Sequence, residues 1–170
     1  MPTPAPARGD PPAPGNTLSF RGQQVLIQWA ASHRRTPVLD GGSLIVGGPQ
    51  DTLQPRLRRW LDGEARVLLA ADLADYCARA GLVPAPLALS NARRRWGSCS
   101  ARGTVRINWR LVMAPDAVRR SVVAHEVAHL VHFDHSPRFH QVLADLYEGD
   151  IQEANRWLKR EGRKLYAQFE

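Results

Sequence analysis

No apolar run in this chain approaches the roughly 18 residues that a membrane-spanning helix needs, so the sequence predicts no bilayer span and no membrane partner. The opening residues, MPTPAPARGDPPAPGN, lack the charged start and apolar stretch of an export signal, and the expected location is the cytoplasm. Cysteine is scarce. Cys77 and Cys99 are the only two, and without an export signal they read as reduced thiols rather than a disulfide. No internal repeat is present, which argues against a repeat architecture. Acidic residues are nearly missing from one long stretch: residues 91–124 hold Arg93, Arg94, Arg95, Arg102, Arg106, Arg110, Arg119 and Arg120 against Asp116 alone. That segment carries the whole of the chain's net +7 and suggests an anionic partner, nucleic acid first, with a solvated basic face as the plain alternative.

What is present is enough for one core, since 44% of the 170 residues are hydrophobic. Residues 1–16 are mostly Pro, Ala and Gly and read as a disordered leader. Residues 17–170 read as a single domain. Within it, 17–50 alternate short apolar runs (VLIQW, SLIVGG) with turn chemistry (RGQQ, DGG), which predicts β-hairpins. Leu53, Leu57, Trp60, Leu61, Val67, Leu68, Leu73, Tyr76 and Cys77 recur at roughly helical spacing and predict one long helix over 52–81, with Gly63 as a break point and Gly81 as the stop.

The remaining core, 86–170, begins with strands over LALSNARRRWGS and GTVRINWRLVM, the latter entered through the tight turn CSARG. Pro115 and Asp116 then suit the first turn of a helix that runs to about 131. Its stretch VVAHEVAHLV is apolar nearly all round, so this helix should be central. Ser136 before Pro137, and Asp150 three residues before Glu153, predict two more helix starts.

The central helix carries His-Glu-x-x-His. Residues four apart share a helix face, so His125 and His129 can offer two imidazole nitrogens to one Zn2+, and Glu126 beside them can take a proton from a water on the metal. A catalytic zinc usually has three protein ligands, and the third must come from His132, His135, His140 or Glu148. His132 continues the same straight helical face, where three histidines do not readily close around one ion. His135 is favoured, because the chain must leave helical geometry before Pro137 and the turn can swing it back towards the metal. Glu148 stays as the alternative. The His spacing equals that of metzincin proteases, but no Met-turn methionine follows.

RRRWGSCS (93–100), INWRLVMAP (107–115), HEVAH (125–129) and DHSPRF (134–139), in this order, make the chain resemble the YgjP-like zinc metallopeptidases, relatives of SprT and Spartan proteases. The resemblance implies an α+β, zincin-like fold: a small antiparallel or mixed sheet packed on a central metal-binding helix, with additional helices. It implies His125, His129 and His135 as zinc ligands, Glu126 as catalytic base, and a protein or peptide substrate. Two positions depart from the family's usual residues, Asp134 in place of Asn and His140 in place of Trp. Asp134 either orients a histidine or caps the turn.

Trp96 reads as core, Gly97 as a bulge or close approach, and Ser98 and Cys99 as cleft lining or the start of a turn. Zincins place a sheet edge beside the metal helix, where an extended substrate can add as a strand. The strand around 104–111 fits that place and makes Arg106, Asn108 and Arg110 candidates for substrate contact. Tyr147, Arg138 and His140 are candidates to steady an oxyanion. The arginine-rich segment extends the hypothesis to substrates associated with DNA. The competing reading is a basic nucleic-acid-binding module with a structural zinc, against which the glutamate inside the motif argues.

Overall fold

The computed structural model describes residues 11–169. Four strands, β1 (Thr17–Phe20), β2 (Gln23–Trp29), β3 (Val38–Asp40) and β4 (Ser43–Val46), form a sheet in the order β1-β2-β4-β3. The expected hairpins are β1–β2 and β3–β4, and they join through a parallel β2–β4 pairing. Arg21 and Gly22 both take positive φ, 51° and 81°, as a two-residue turn between right-twisted strands requires. That turn docks below: Arg21 and Gly22 donate their backbone N–H groups to Val112 and Met113.

Residues 1–10 of the expected leader lie outside the described residues. Residues 11–16 are held in place, contrary to a loose leader, because Gly15 donates to the Ile27 carbonyl and Ile27 to that of Asn16, both at 2.9 Å. Pro12 is buried there.

Helix α1 (Leu53–Arg79) buries Leu53, Leu57, Leu61, Ala65, Leu69, Leu73 and Tyr76, one stripe at near-fourfold spacing. It passes Gly63 unbroken. A side chain there would meet open space, so the glycine costs only helix propensity, about 1 kcal/mol, and nothing forces a kink. The helix stops at Gly81, φ 71°, with Leu82 donating back to the Cys77 carbonyl.

A second sheet has the order β5-β7-β6, from β5 (Leu87–Ser90), β6 (Gly97–Cys99) and β7 (Val105–Asn108). The strand expected over GTVRINWRLVM ends at Asn108. Residues Trp109–Met113 are all buried, which an alternating strand beside one core cannot achieve, and they roll into a 3-10 turn. Asn108 caps it by accepting the Arg110 N–H at 3.1 Å.

Helices α2 (Asp116–Val131), α3 (Pro137–Leu146) and α4 (Ile151–Ala167) complete the chain, and α2 packs against α1, α3, α4 and β6. The fold is α+β, with a small three-stranded sheet beside a central helix. Ser136 and Asp150 cap α3 and α4 as their sequence positions predict. The α1–α2 interface holds a buried ion pair, Arg119 Nε to Asp72 at 2.7 Å, and Arg120 bridges Asp72, Asp75 and Glu148 beside it. Both cysteines are free, and no helix among the described residues is long and apolar enough to cross a membrane.

Candidate metal centre and cleft

His125 and His129 stand one turn apart near the C-terminal end of α2. The helix ends at Val131, His132 turns extended, and the loop returns to start α3 at Pro137. This reversal brings His135 to the other two, so that one nitrogen from each of the three rings lies within 4.8 Å of the others. The Nε2 atoms of His125 and His129 are 3.2 Å apart. A tetrahedral zinc with Zn–N bonds of about 2.0–2.1 Å holds its nitrogens about 3.3 Å apart, so this pair fits the ion.

Two neighbours prepare the rings. The His129 Nδ1 lies 3.2 Å from the His132 carbonyl, an acceptor that favours the proton on Nδ1 and so directs the neutral ring's lone pair to Nε2. Phe139, fully buried, lies under all three: its ring centroid is 5.1 Å from His125, 4.4 Å from His129 and 5.0 Å from His135. Burial, followed by the neighbouring His129, His135 and His140, pushes His125 down to about 4. The ring is therefore neutral at pH 7, the state a metal needs.

Glu126 is 5% exposed, and among the described residues its carboxylate takes no hydrogen bond or ion pair. Burial pushes its carboxyl up to about 7, against a small opposing pull from Arg95. Gly97 of β6 explains how the strand comes so near. A Cβ there would stand 3.0 Å from both Glu126 Cγ and Val122 Cγ1, so any larger residue would push these side chains or the strand aside. Beside this contact opens a pocket of about 210 Å³, lined by Trp96, Gly97, Val122, His125, Glu126 and Leu158 among others.

Other sequence candidates fall elsewhere. Glu148 is engaged away from the histidines, accepting from Tyr76 at 2.7 Å and Arg120 at 2.6 Å. Asp134 accepts the Ser136 N–H at 3.4 Å, so its partner is the turn and not a histidine. Tyr147 donates its hydroxyl to the Ala117 carbonyl at 2.6 Å, near the start of α2. His140 lies by the cluster with its ring 5.2 Å from Phe139, and both it and Arg138 are exposed.

The strand β7 is interior, paired with β5 on one side and β6 on the other, so it offers no edge to a substrate. Arg106 on it is exposed, whereas Asn108 is fully buried and donates to the Ala92 carbonyl at 2.8 Å. Arg110 is buried, its guanidinium 4.9 Å from the Trp109 ring and 4.7 Å from that of Tyr166. The edges of this sheet are β5 and β6, and of the two it is β6 that packs against α2.

The basic segment is also thinner than its sequence. Arg110 and Arg119 are buried, and Arg119 and Arg120 are ion-paired to acids of α1, α2 and the α3–α4 link. Arg93, Arg94, Arg95, Arg102 and Arg106 remain exposed. Phe139 carries a role that the sequence reading did not assign, its only signal being its place in DHSPRF, whereas the close approach expected at Gly97 is made against Glu126 and Val122.

Comparison with known proteins gives one family. The model described as YgjP-like, metallopeptidase domain, matches residues 5–161. No curated protein matches the chain significantly. Among solved structures, the metallopeptidase zymogen of Pyrococcus abyssi abylysin is similar at 18% identity and a TM-score of 0.46, over 56% of this chain and 93% of that one.

Proposed function

Since this chain belongs to the YgjP-like metallopeptidase family, we propose that it hydrolyses peptide bonds with a zinc ion held by His125, His129 and His135 and with Glu126 as the base. The observation that carries this reading is the convergence of three imidazole nitrogens within 4.8 Å beside a buried, unpaired carboxylate. Zinc in such a site supplies a Lewis acid that polarises the scissile carbonyl and makes water more acidic. The chain's own groups do the rest. Glu126 takes the proton of the attacking water and later hands it to the leaving amine, and a carboxyl that titrates near neutrality suits both transfers. The His132 carbonyl and Phe139 hold the imidazoles in one orientation.

The substrate backbone lies along β6. Hydrogen-bonded pairs in an antiparallel ladder alternate, and Trp96 with Asn108 and Ser100 with Thr104 are bonded pairs. The backbone groups of Gly97 and Cys99 therefore face away from β7, towards the free edge, where an extended peptide adds as a further strand.

The test is zinc content and peptide hydrolysis in the wild type, His135→Ala and Glu126→Gln. Near-stoichiometric zinc is expected in the wild type and Glu126→Gln and reduced zinc in His135→Ala, with hydrolysis in the wild type alone. A zinc-loaded wild type that cleaves nothing in a diverse peptide library would overturn the reading.

A further inference from the structure

A second pocket, of about 230 Å³, shares Trp96 with the cleft but is not lined by Glu126. Its rim carries Arg93, Arg94, Lys159 and Arg163, and its walls include Trp96 and Tyr166, whose rings are 5.0 Å apart. No acid lines it, and none of these four cations is ion-paired to a described residue. Four unneutralised cations around one depression repel each other, which a bound anion relieves.

The pocket is fixed in shape. Gly162 of α4 receives the Trp96 indole so closely that a Cβ there would lie 2.9 Å from its Cζ2. The loop before β6 is tied from beneath, with Asn108 donating to the carbonyls of Ala92 and Arg95 and Tyr166 donating to that of Ala92. Its carbonyls are thus engaged inside while the side chains of Arg93 and Arg94 are exposed.

The pocket adjoins the cleft, for Trp96 and Leu158 line both. Trp96 immediately precedes β6, so a peptide lying along Gly97–Cys99 runs out past Trp96 into the cationic rim. We propose that this pocket is a specificity site for an acidic side chain of the peptide substrate, a few residues from the scissile bond on the side that passes Trp96. The inference rests on the peptidase reading above for its substrate. Its position beside the cleft favours a peptide carboxylate over a nucleic-acid phosphate, because only the peptide is threaded there by the catalytic site itself.

The experiment uses the zinc-loaded full chain and matched fluorescent peptides carrying Asp, Asn or Lys at each position flanking a cleavage site. Hydrolysis is compared in the wild type and in Arg94→Glu/Arg163→Glu, and binding is followed by anisotropy with Glu126→Gln alone and combined with that pair. The expected result is a preference for Asp of about tenfold in kcat/KM and in binding, confined to one side of the bond and reversed towards Lys by the charge-swapped pair. A merely structural role for the arginines would not produce the reversal. Cleavage and binding indifferent to Asp would overturn the inference and leave the peptidase reading standing. Selective binding of the Asp peptides without any cleavage would keep the acidic-peptide site and remove the peptidase reading. A single-stranded oligonucleotide that binds the wild type and not the pair, with no peptide discrimination, would assign the pocket to nucleic acid and overturn the proposal.

Discussion

The Phe139 ring lies nearly parallel to the His129 imidazole, with centroids 4.4 Å apart and planes 22° from one another. One turn into α3, this phenylalanine is the floor on which histidines from α2 and from the following loop meet. Stacking restricts the imidazole to the plane in which its Nε2 faces that of His125.

Replacing that floor should separate stability from metal binding. Phe139→Ala is expected to cost about 3–5 kcal/mol by urea denaturation, as for other fully buried aromatics. Phe139→Leu fills much of the space and should cost less, yet lower zinc affinity by about tenfold in a chelator competition, because the stacked surface is gone. Unchanged affinity in the leucine variant would show that the histidines hold themselves.

Gly97→Ala places a methyl group 3.0 Å from the Cγ atoms of Glu126 and Val122. Either β6 or the glutamate must shift. The expected outcome is a stability loss of about 1–3 kcal/mol, zinc content unchanged, and kcat lower by tenfold or more. A variant with full activity would remove the close packing of β6 on Glu126 from the mechanism.

Asp72→Asn tests the α1–α2 junction. Asp72 is 3% exposed and accepts from both Arg119 and Arg120. Removing one partner of a buried pair typically costs about 3–5 kcal/mol, and the lower end is expected because Arg119 keeps Asp116 and Arg120 keeps Asp75 and Glu148. Chemical denaturation of the metal-free chain measures this without interference from zinc.

Acid should loosen the same junction. Burial would raise the Glu148 carboxyl, but hydrogen bonds from Arg120 and Tyr76 overcome it and hold it at about 2, below its ordinary 4.5. Asp116 is held at about 2 by hydrogen bonds from Arg21 and Arg119, against the upward push of burial. Between these values the unfolded chain binds more protons than the folded one. The stabilisation is thus complete above about pH 4.5 and lost as pH falls towards 2. Both side chains are nearly half exposed, so each contributes about 1 kcal/mol or less. Glu148→Gln should be less stable than the wild type at pH 7 and equal to it near pH 2 in urea titrations.

Metal removal gives the last check. His135 is exposed, so His135→Ala should change the stability of the metal-free chain by less than about 0.5 kcal/mol. Zinc should raise the wild-type Tm, EDTA should reverse the rise, and the variant should respond much less. Equal zinc responses would take His135 out of the ligand set.

The local features were readable because their signals are local. The apolar stripe of α1, the caps Ser136 and Asp150 and the pairing of His125 with His129 each depend on residues within a few positions. His135 was also within reach, since Pro137 forces the turn that returns it. The strand over residues 109–113 was misread because its apolar run fits a strand, while burial on every side makes it coil.

The sequence by itself determined the helices, their ends and the imidazoles and carboxylate that one helix face can gather, because backbone propensity and periodicity act over single turns. Only the tertiary structure decided that β7 is interior and that β6 is the edge strand beside α2, and that Arg119 and Arg120 spend their charge on acids of α1. It also decided that Phe139 underlies the histidines and that Gly97 touches Glu126. Each of these depends on which distant segments meet, and that is settled by how the whole core packs.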